Sequence, residues 1–290
     1  MSKNPPKIKS IALVYHPRNN SAQVEAGQIR VLLEQAKAAV FTARTDSEDL
    51  ARRLAAGEFD AVLALGGDGT MLRAGHLAAP LGIPVLGVNL GSFGFLMQLT
   101  RTDWKETLPR LFTGEYKIEN RMMLQAEHWR DKKQLGSYQV INDAVVCRGT
   151  TVRPIRIHAR VDGYSLASYV ADGLIAATPT GSTAYALAVG GPILPPELRN
   201  ILIVPVAPHL SMDQAVVLPA GASVEITAIS DHPAVMSVDG HAPVTLKNED
   251  VVRVKASEFG FKFIVFQDPG YFYRNLRNYM EQNPSIGAKE

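Results

Sequence analysis

The chain has 290 residues, 46% hydrophobic and 20% charged, which is the balance of a globular protein and long enough for two domains of roughly 100–200 residues each. Thirty Lys plus Arg against 28 Asp plus Glu leave a formal charge of only +2, which excludes a nucleic-acid or membrane-surface binder and requires any anionic ligand to be held by a local site. Cys147 is the single cysteine, so neither an intrachain disulfide nor a cysteine-rich zinc site is available, and the lack of a secretory or bilayer-length apolar run predicts a cytoplasmic protein.

In chain order, Ile8 to Tyr15 reads as a buried strand, and residues 21–40 as a helix with Val24, Ile29, Leu32, Leu33 and Ala36 on one stripe. A second helix is expected over Ser47 to Ala56 with Ser47 as its cap. Asp60 to Leu65 is a short apolar strand that runs into Gly66-Gly67-Asp68-Gly69-Thr70, with helix from Met71 to Ala79. Pro84 to Val88 is a further strand before the Gly-rich stretch Gly91 to Gly94. Strands alternating with helices predict an α/β domain with a mainly parallel sheet over residues 1–118.

From about Arg121 the texture changes to short β-branched and aromatic runs: Tyr138 to Val146, Ile155 to Val161, Val224 to Ala228 and Asp250 to Val254. Asp162-Gly163 and Asp239-Gly240 are hairpin-type turn signals. Residues 119–260 are therefore expected to form a β-sandwich-like domain with one short helical insertion. Over 261–290, Phe261 to Phe266 reads as a strand, and Phe272, Leu276 and Tyr279 fall on one face of a helix expected to pack back on a domain surface.

Three constellations carry chemistry. Gly66 to Thr70 sits between a strand and a helix, where closely spaced glycines let main-chain N–H groups face phosphate oxygens. A carboxylate inside such a loop, Asp68, suits proton acceptance from a hydroxyl or help with a magnesium ion; a plain tight turn is the simpler alternative. The loop is neither a Walker A motif, since no Lys-Ser or Lys-Thr pair follows, nor the GxGxxG dinucleotide fingerprint. In Asp172 to Ala188 an apolar strand ends in the hydroxyl-rich turn Thr178-Pro179-Thr180-Gly181-Ser182-Thr183, which suits a polar ligand or ordinary helix capping, while Tyr185 offers either a ring for a base or a core aromatic. Asn142-Asp143 interrupts an apolar run and either reaches a ligand such as a ribose or faces water at a strand edge.

Taken together and in this order, the glycine motif, Asn142-Asp143, and Asp172-Gly173 with Thr178 to Tyr185 resemble the signature of the NAD kinase family over nearly the whole chain. The glycine motif alone is shared with lipid kinases and, in related form, phosphofructokinases; the Thr-Pro-Thr-Gly segment is the specific part. The resemblance implies an NAD site between the domains, a homo-oligomer (dimer or tetramer), ATP as phosphoryl donor with polyphosphate as the other candidate, and Mg2+ or another divalent cation. It makes Asp68 the catalytic proton acceptor, with Gly66, Gly67, Gly69 and Thr70 forming the phosphate loop. Asp68, Gly69 and Arg73 are then NAD contacts in the first domain. Asn142 and Asp143 hold the adenosine ribose, Asp172 approaches the other half of the dinucleotide, and Thr183, Ala184, Tyr185, Ala188 and Ala207 line the adenine side. Arg153 and His241 stand where the family places polar ligand contacts. Asp143 replaces a common Glu, Ala188 a common Ser, and Val170 removes a charged contact that some relatives supply. A non-catalytic NAD(P)-binding sensor and a lipid kinase are the rival readings.

Overall fold

The computed structural model describes residues 7–17, 20–91, 94–209, 211–268, 270, 272–274 and 276. Two compact units emerge, one comprising Met1–Asn120 with Gly260–Glu290 and the other Arg121–Phe259.

The first unit alternates strand and helix: β1 (Ser10–Tyr15), α1 (Asn20–Gln35), β2 (Ala39–Arg44), α2 (Glu48–Ala55), β3 (Ala61–Gly66), α3 (Asp68–Ala78), β4 (Val85–Asn89), β5 (Leu99–Thr100), α4 (Trp104–Thr107) and α5 (Arg110–Thr113). β1 lies between β2 and β3, and β4 pairs β3 and β5, every pair parallel. β3 and β4 are buried along their whole length, as expected of strands covered on both faces. Ser47 caps α2 by accepting the Leu50 N–H.

Three sequence expectations are corrected here. The helix predicted over 21–40 ends at Gln35, and Ala39–Arg44 is a strand that the helical reading had absorbed. Val24 is 67% exposed, because α1 turns the small residues Ala22 and Ala26 inward with Ile29 and Leu33. Spacings of four, three and four residues place these on one face without Val24. α3 begins at Asp68 rather than Met71, so the glycine motif is the helix start itself.

The second unit holds β6 (Lys117–Arg130, entering it at Arg121), β7 (Lys133–Val140), β8 (Asp143–Arg148), β9 (Ile155–Val161), β10 (Tyr164–Ala171), β11 (Gly173–Ala177), α6 (Tyr185–Ala188), β12 (Asn200–Val206), β13 (Val216–Pro219), β14 (Val224–Ile229), β15 (Ala234–Val238), β16 (Val244–Leu246) and the first part of β17 (Val251–Val265). One antiparallel sheet runs β13-β12-β11-β8-β15-β16; facing it, β10-β9-β14-β17 are antiparallel neighbours and β6-β7 is a hairpin. Leu124, Val146, Ile157, Leu174, Ile203 and Ile226, drawn from both layers, share one apolar core, so the unit is a β-sandwich. Asp162 (φ 51°) and Gly163 (φ 83°) make the β9-β10 turn, and Asp239 (φ 49°) and Gly240 (φ 71°) open the β15-β16 turn. The run predicted over 138–146 is two strands broken at Ile141-Asn142, β7 and β8, which belong to different sheets. The strands predicted at 250–254 and 261–266 are one strand, β17, whose end pairs β4 in the first unit through Phe263 and Val85. Residues 272–274 and 276 are helical, whereas Tyr279 lies outside the described residues, as do Ser92 and Phe93 of the Gly-rich stretch. Among the described residues no helix is long and apolar enough to cross a membrane.

Candidate active site

In the first unit β3 delivers the chain to Gly66, whose φ of 154° favours glycine and whose missing Cβ would lie 2.3 Å from the Thr70 hydroxyl. Gly67 is the N-cap of α3 and supplies no side-chain cap; its carbonyl accepts the N–H groups of Thr70 and Met71. Nothing lies within 4 Å of where a Cβ would stand on Gly67 or Gly69, so the start of an 11-residue helix is open to an anion. Asp68 occupies the first helical position. One of its carboxylate oxygens accepts the Phe95 N–H at 2.9 Å and the other the Leu96 N–H at 3.0 Å. Gly94 permits this approach, since a Cβ there would meet the Asp68 carboxylate at 2.3 Å. Main chain on both oxygens fixes the plane of the carboxylate. Arg73 is exposed further along the same helix, and its charge acts on Asp46.

In the second unit the β7-β8 break places Asn142 and Asp143 at one end of β8, beside Ala177 at the end of β11 and Val238 at the end of β15. The hydroxyl-rich turn lies against this break. Thr178 donates its hydroxyl to the Ile141 carbonyl at 2.6 Å and its N–H to the Asn142 carbonyl at 2.8 Å. Ser182 donates to the Pro179 carbonyl and accepts the Leu194 N–H, and Thr183 donates to the Thr180 carbonyl. These hydroxyls build the turn, and none caps the four-residue α6. Two buried polar atoms are left without a hydrogen-bond partner, Asn142 Oδ1 and Thr180 Oγ1. One lies at the β7-β8 break and the other in the turn after β11, and unpartnered buried oxygens of this kind are suited to a ligand's donors.

Gly181 makes the close approach possible, since a Cβ there would lie 2.0 Å from the Asn142 carbonyl oxygen. Gly181→Ala must therefore move backbone, with an expected loss of about 1–3 kcal/mol in unfolding free energy. Denaturant unfolding of the variant checks this; wild-type stability would contradict the contact.

The electrostatics of this region are unusual. Burial first, and the Asp239 carboxylate second, push Asp143 up to about 7, against the Tyr185 N–H that hydrogen-bonds its carboxylate. Tyr185 is raised by burial and then by Cys147, Asp172 and Asp143, against Arg148, which lowers it. Asp172 pairs with Arg148 at 2.9 Å, and Cys147 is raised by burial. Ala184 precedes α6 and Ala188 ends it, exposed. Ala207 follows β12 with φ 44°, a conformation that disfavours a side chain, immediately after the Val206 carbonyl that accepts the Asp172 N–H. His241 is exposed in the turn opened by Asp239, its carbonyl accepting from Ser237. Arg153 is exposed beside Asp231 and His232, a different neighbourhood from the Asn142 turn.

Sequence reasoning overlooked Asp239, which takes N–H groups from Ile141, Asn142 and Asp143, as well as Arg148 and the residue 94–96 loop. Asp239-Gly240 was visible only as a turn. Among the described residues no three His, Cys, Asp or Glu side chains converge in a way that could hold a metal ion.

Models of the ATP-NAD kinase N-terminal and C-terminal domains match residues 11–116 and 141–266. The NAD kinase of Moorella thermoacetica is 37% identical over 263 residues, covering 90% of this chain and 83% of that protein. This chain belongs to the ATP-NAD kinase family. Within that family, the NAD kinase of Heliobacterium modesticaldum is 43% identical over 226 residues, or 78% of this chain and 80% of that one. The fold is shared with yeast NADH kinase solved with NADH (TM-score 0.82, 22% identity, covering 100% of this chain and 95% of that one) and with an Archaeoglobus fulgidus NAD kinase solved with ATP (TM-score 0.76, 24% identity, covering 94% and 99%).

Proposed function

We propose that this protein is an NAD kinase that transfers the terminal phosphoryl group of ATP to the 2′-hydroxyl of the adenosine ribose of NAD, giving NADP. The observation that carries this reading is Asp68, in a chain of this family. It is a carboxylate held by two main-chain N–H groups at the open, glycine-lined start of a helix, where a phosphate and an attacking hydroxyl can both be served.

Asp68 accepts the 2′-hydroxyl proton as the ribose oxygen bonds to the γ-phosphorus and the bond from that phosphorus to the β-phosphate oxygen breaks, releasing ADP. A carboxylate is a weak base at neutral pH, so its first service is to aim the hydroxyl in line, with the proton leaving late. Gly66, Gly67, Gly69 and Thr70 let phosphate oxygens reach the main chain. A divalent cation brought with ATP would offset the negative charge of the phosphates during transfer. Asn142 and Asp143 hold the ribose, Tyr185 with Thr183, Ala184, Ala188 and Ala207 takes the adenine side, and Asp172 faces the other half of NAD. Arg73, Arg153 and His241 supply outer polar contacts. We take the enzyme to act as a cytoplasmic homo-oligomer.

Radiolabelled γ-phosphate ATP offered with NAD and, separately, with diacylglycerol vesicles tests the assignment. Label is expected in a dinucleotide that an NADP-specific dehydrogenase reduces. Label in lipid alone would transfer the chain to lipid phosphorylation, and label in neither would favour a sensor.

A further inference from the structure

Asp239 has a far denser set of partners than a turn requires. Its Oδ1 accepts the N–H of Asn142 at 2.7 Å and of Asp143 at 3.0 Å, and its Oδ2 accepts that of Ile141 at 2.8 Å. Its own N–H donates to the Asp143 carbonyl at 3.0 Å. Three consecutive N–H groups converging on one negative charge form an anion nest, and here the anion is the protein's own side chain. At the comparable Asp162-Gly163 turn, the Asp162 side chain takes the Ser223 N–H, with no run of consecutive N–H groups converging on it among the described residues. The Asn142 side-chain oxygen has no partner of its own, so its aim is set by the main chain that Asp239 grips.

We propose that Asp239 is a positioning residue for NAD phosphorylation, holding residues 141–143 so that the Asn142 and Asp143 side chains meet the adenosine ribose. This rests on the role of Asn142 and Asp143 in the proposed function. Charge-assisted bonds to three successive N–H groups make the grip strong and directional, where a hairpin loop alone leaves such a segment free to shift. Asp239 also governs when Asp143 is charged. Burial and the Asp239 charge both oppose ionisation of Asp143, and the Tyr185 N–H favours it; the charged and titratable groups acting on the nearby Tyr185 phenol are Cys147, Asp172, Asp143 and Arg148. Removing the Asp239 charge lets Asp143 ionise at lower pH.

The test is Asp239→Asn in the full chain, assayed with MgATP and NAD across pH. An Asn oxygen can still serve two of the N–H groups, but its amide confronts the third. KM for NAD is expected to rise about tenfold or more with KM for ATP unchanged. The pH at which kcat/KM for NAD reaches half its plateau is expected to fall below the wild-type midpoint, in the direction set by losing the Asp239 charge that raises Asp143. A purely structural turn residue would lower the melting temperature while leaving the NAD-to-ATP KM ratio and the pH midpoint in place, and that result overturns the proposal. If Asp239→Asn does not fold, Asp239→Glu decides, because it keeps the charge and displaces it by one methylene. A raised KM for NAD at the wild-type pH midpoint supports positioning, and a wild-type KM for NAD overturns it. Failure of the wild-type chain to form NADP is a separate outcome that strikes the functional reading before any variant is compared.

Discussion

Asp68→Asn is expected to lower kcat by about 10²–10⁴-fold while changing KM for NAD only slightly. The substitution preserves size and removes the proton acceptor. It also disturbs the support, because the carboxylate receives one main-chain N–H on each oxygen and an Asn can offer an oxygen to only one of them. The other N–H, from Phe95 or Leu96, then faces an amide donor, so some displacement of the 94–96 loop accompanies the chemical loss. The two effects separate by readout. Loss of the acceptor acts on turnover in the assembled complex, whereas the ribose and adenine contacts proposed for residues 142–143 and 183–188 are untouched by the substitution. Steady-state kinetics with a direct NAD binding measurement check this. An equal loss in turnover and in NAD affinity would count against the role given to Asp68.

Asp250→Ala is expected to reduce the unfolding free energy by about 3–5 kcal/mol. Asp250 is 1% exposed and accepts a 2.8 Å bond from His128, two 2.7 Å bonds from the Arg130 guanidinium and the Lys247 N–H at 2.8 Å. The carboxylate thereby ties the β6 end of the β6-β7 hairpin to the turn between β16 and β17. Burial pushes its pKa up, but the bonds from Arg130, His128 and Lys247 outweigh burial and hold it down at about 2. With the folded value below the ordinary 3.8, the stabilisation is complete above about pH 4 and is lost as pH falls through about 2. The gap between wild type and Asp250→Ala is therefore widest at neutral pH and narrows in acid. Urea unfolding at pH 7 and at pH 2 checks both halves, and a variant as stable as wild type at pH 7 would contradict the account of this cluster.

Much of the fold was legible because its signals are local. The apolar runs before Gly66 and Val85 to Asn89, the Ser47 cap and the Asp-Gly turns each announce themselves within a few residues. What escaped notice depends on distant partners. Ala39 to Arg44 is strand because β1 pairs along its length, with Ser10 opposite Ala39 and Tyr15 opposite Arg44, which overrides a weak helical pattern. The Asp131-Lys132 hairpin turn adopts positive φ at both residues without a glycine to advertise it. At the candidate site, the glycine motif and Asn142-Asp143 stand out as residue types, but the groups that hold them do not. The Phe95 and Leu96 N–H groups lie 27 and 28 residues from Asp68. Asp239 lies 96 to 98 residues from the N–H groups it receives. No periodicity encodes such pairings; for Asp239 it is the register of β8 against β15 that brings the partners together.

The most direct test of the account is continuous production of NADP by the purified chain with ATP, Mg2+ and NAD, read through an NADP-specific dehydrogenase alongside Asp68→Asn. Steady NADP formation by the wild type and near-complete loss in the variant are expected. Undiminished NADP formation by Asp68→Asn would contradict the role given to this carboxylate, and its absence in the wild type with either ATP or polyphosphate would contradict NAD phosphorylation itself.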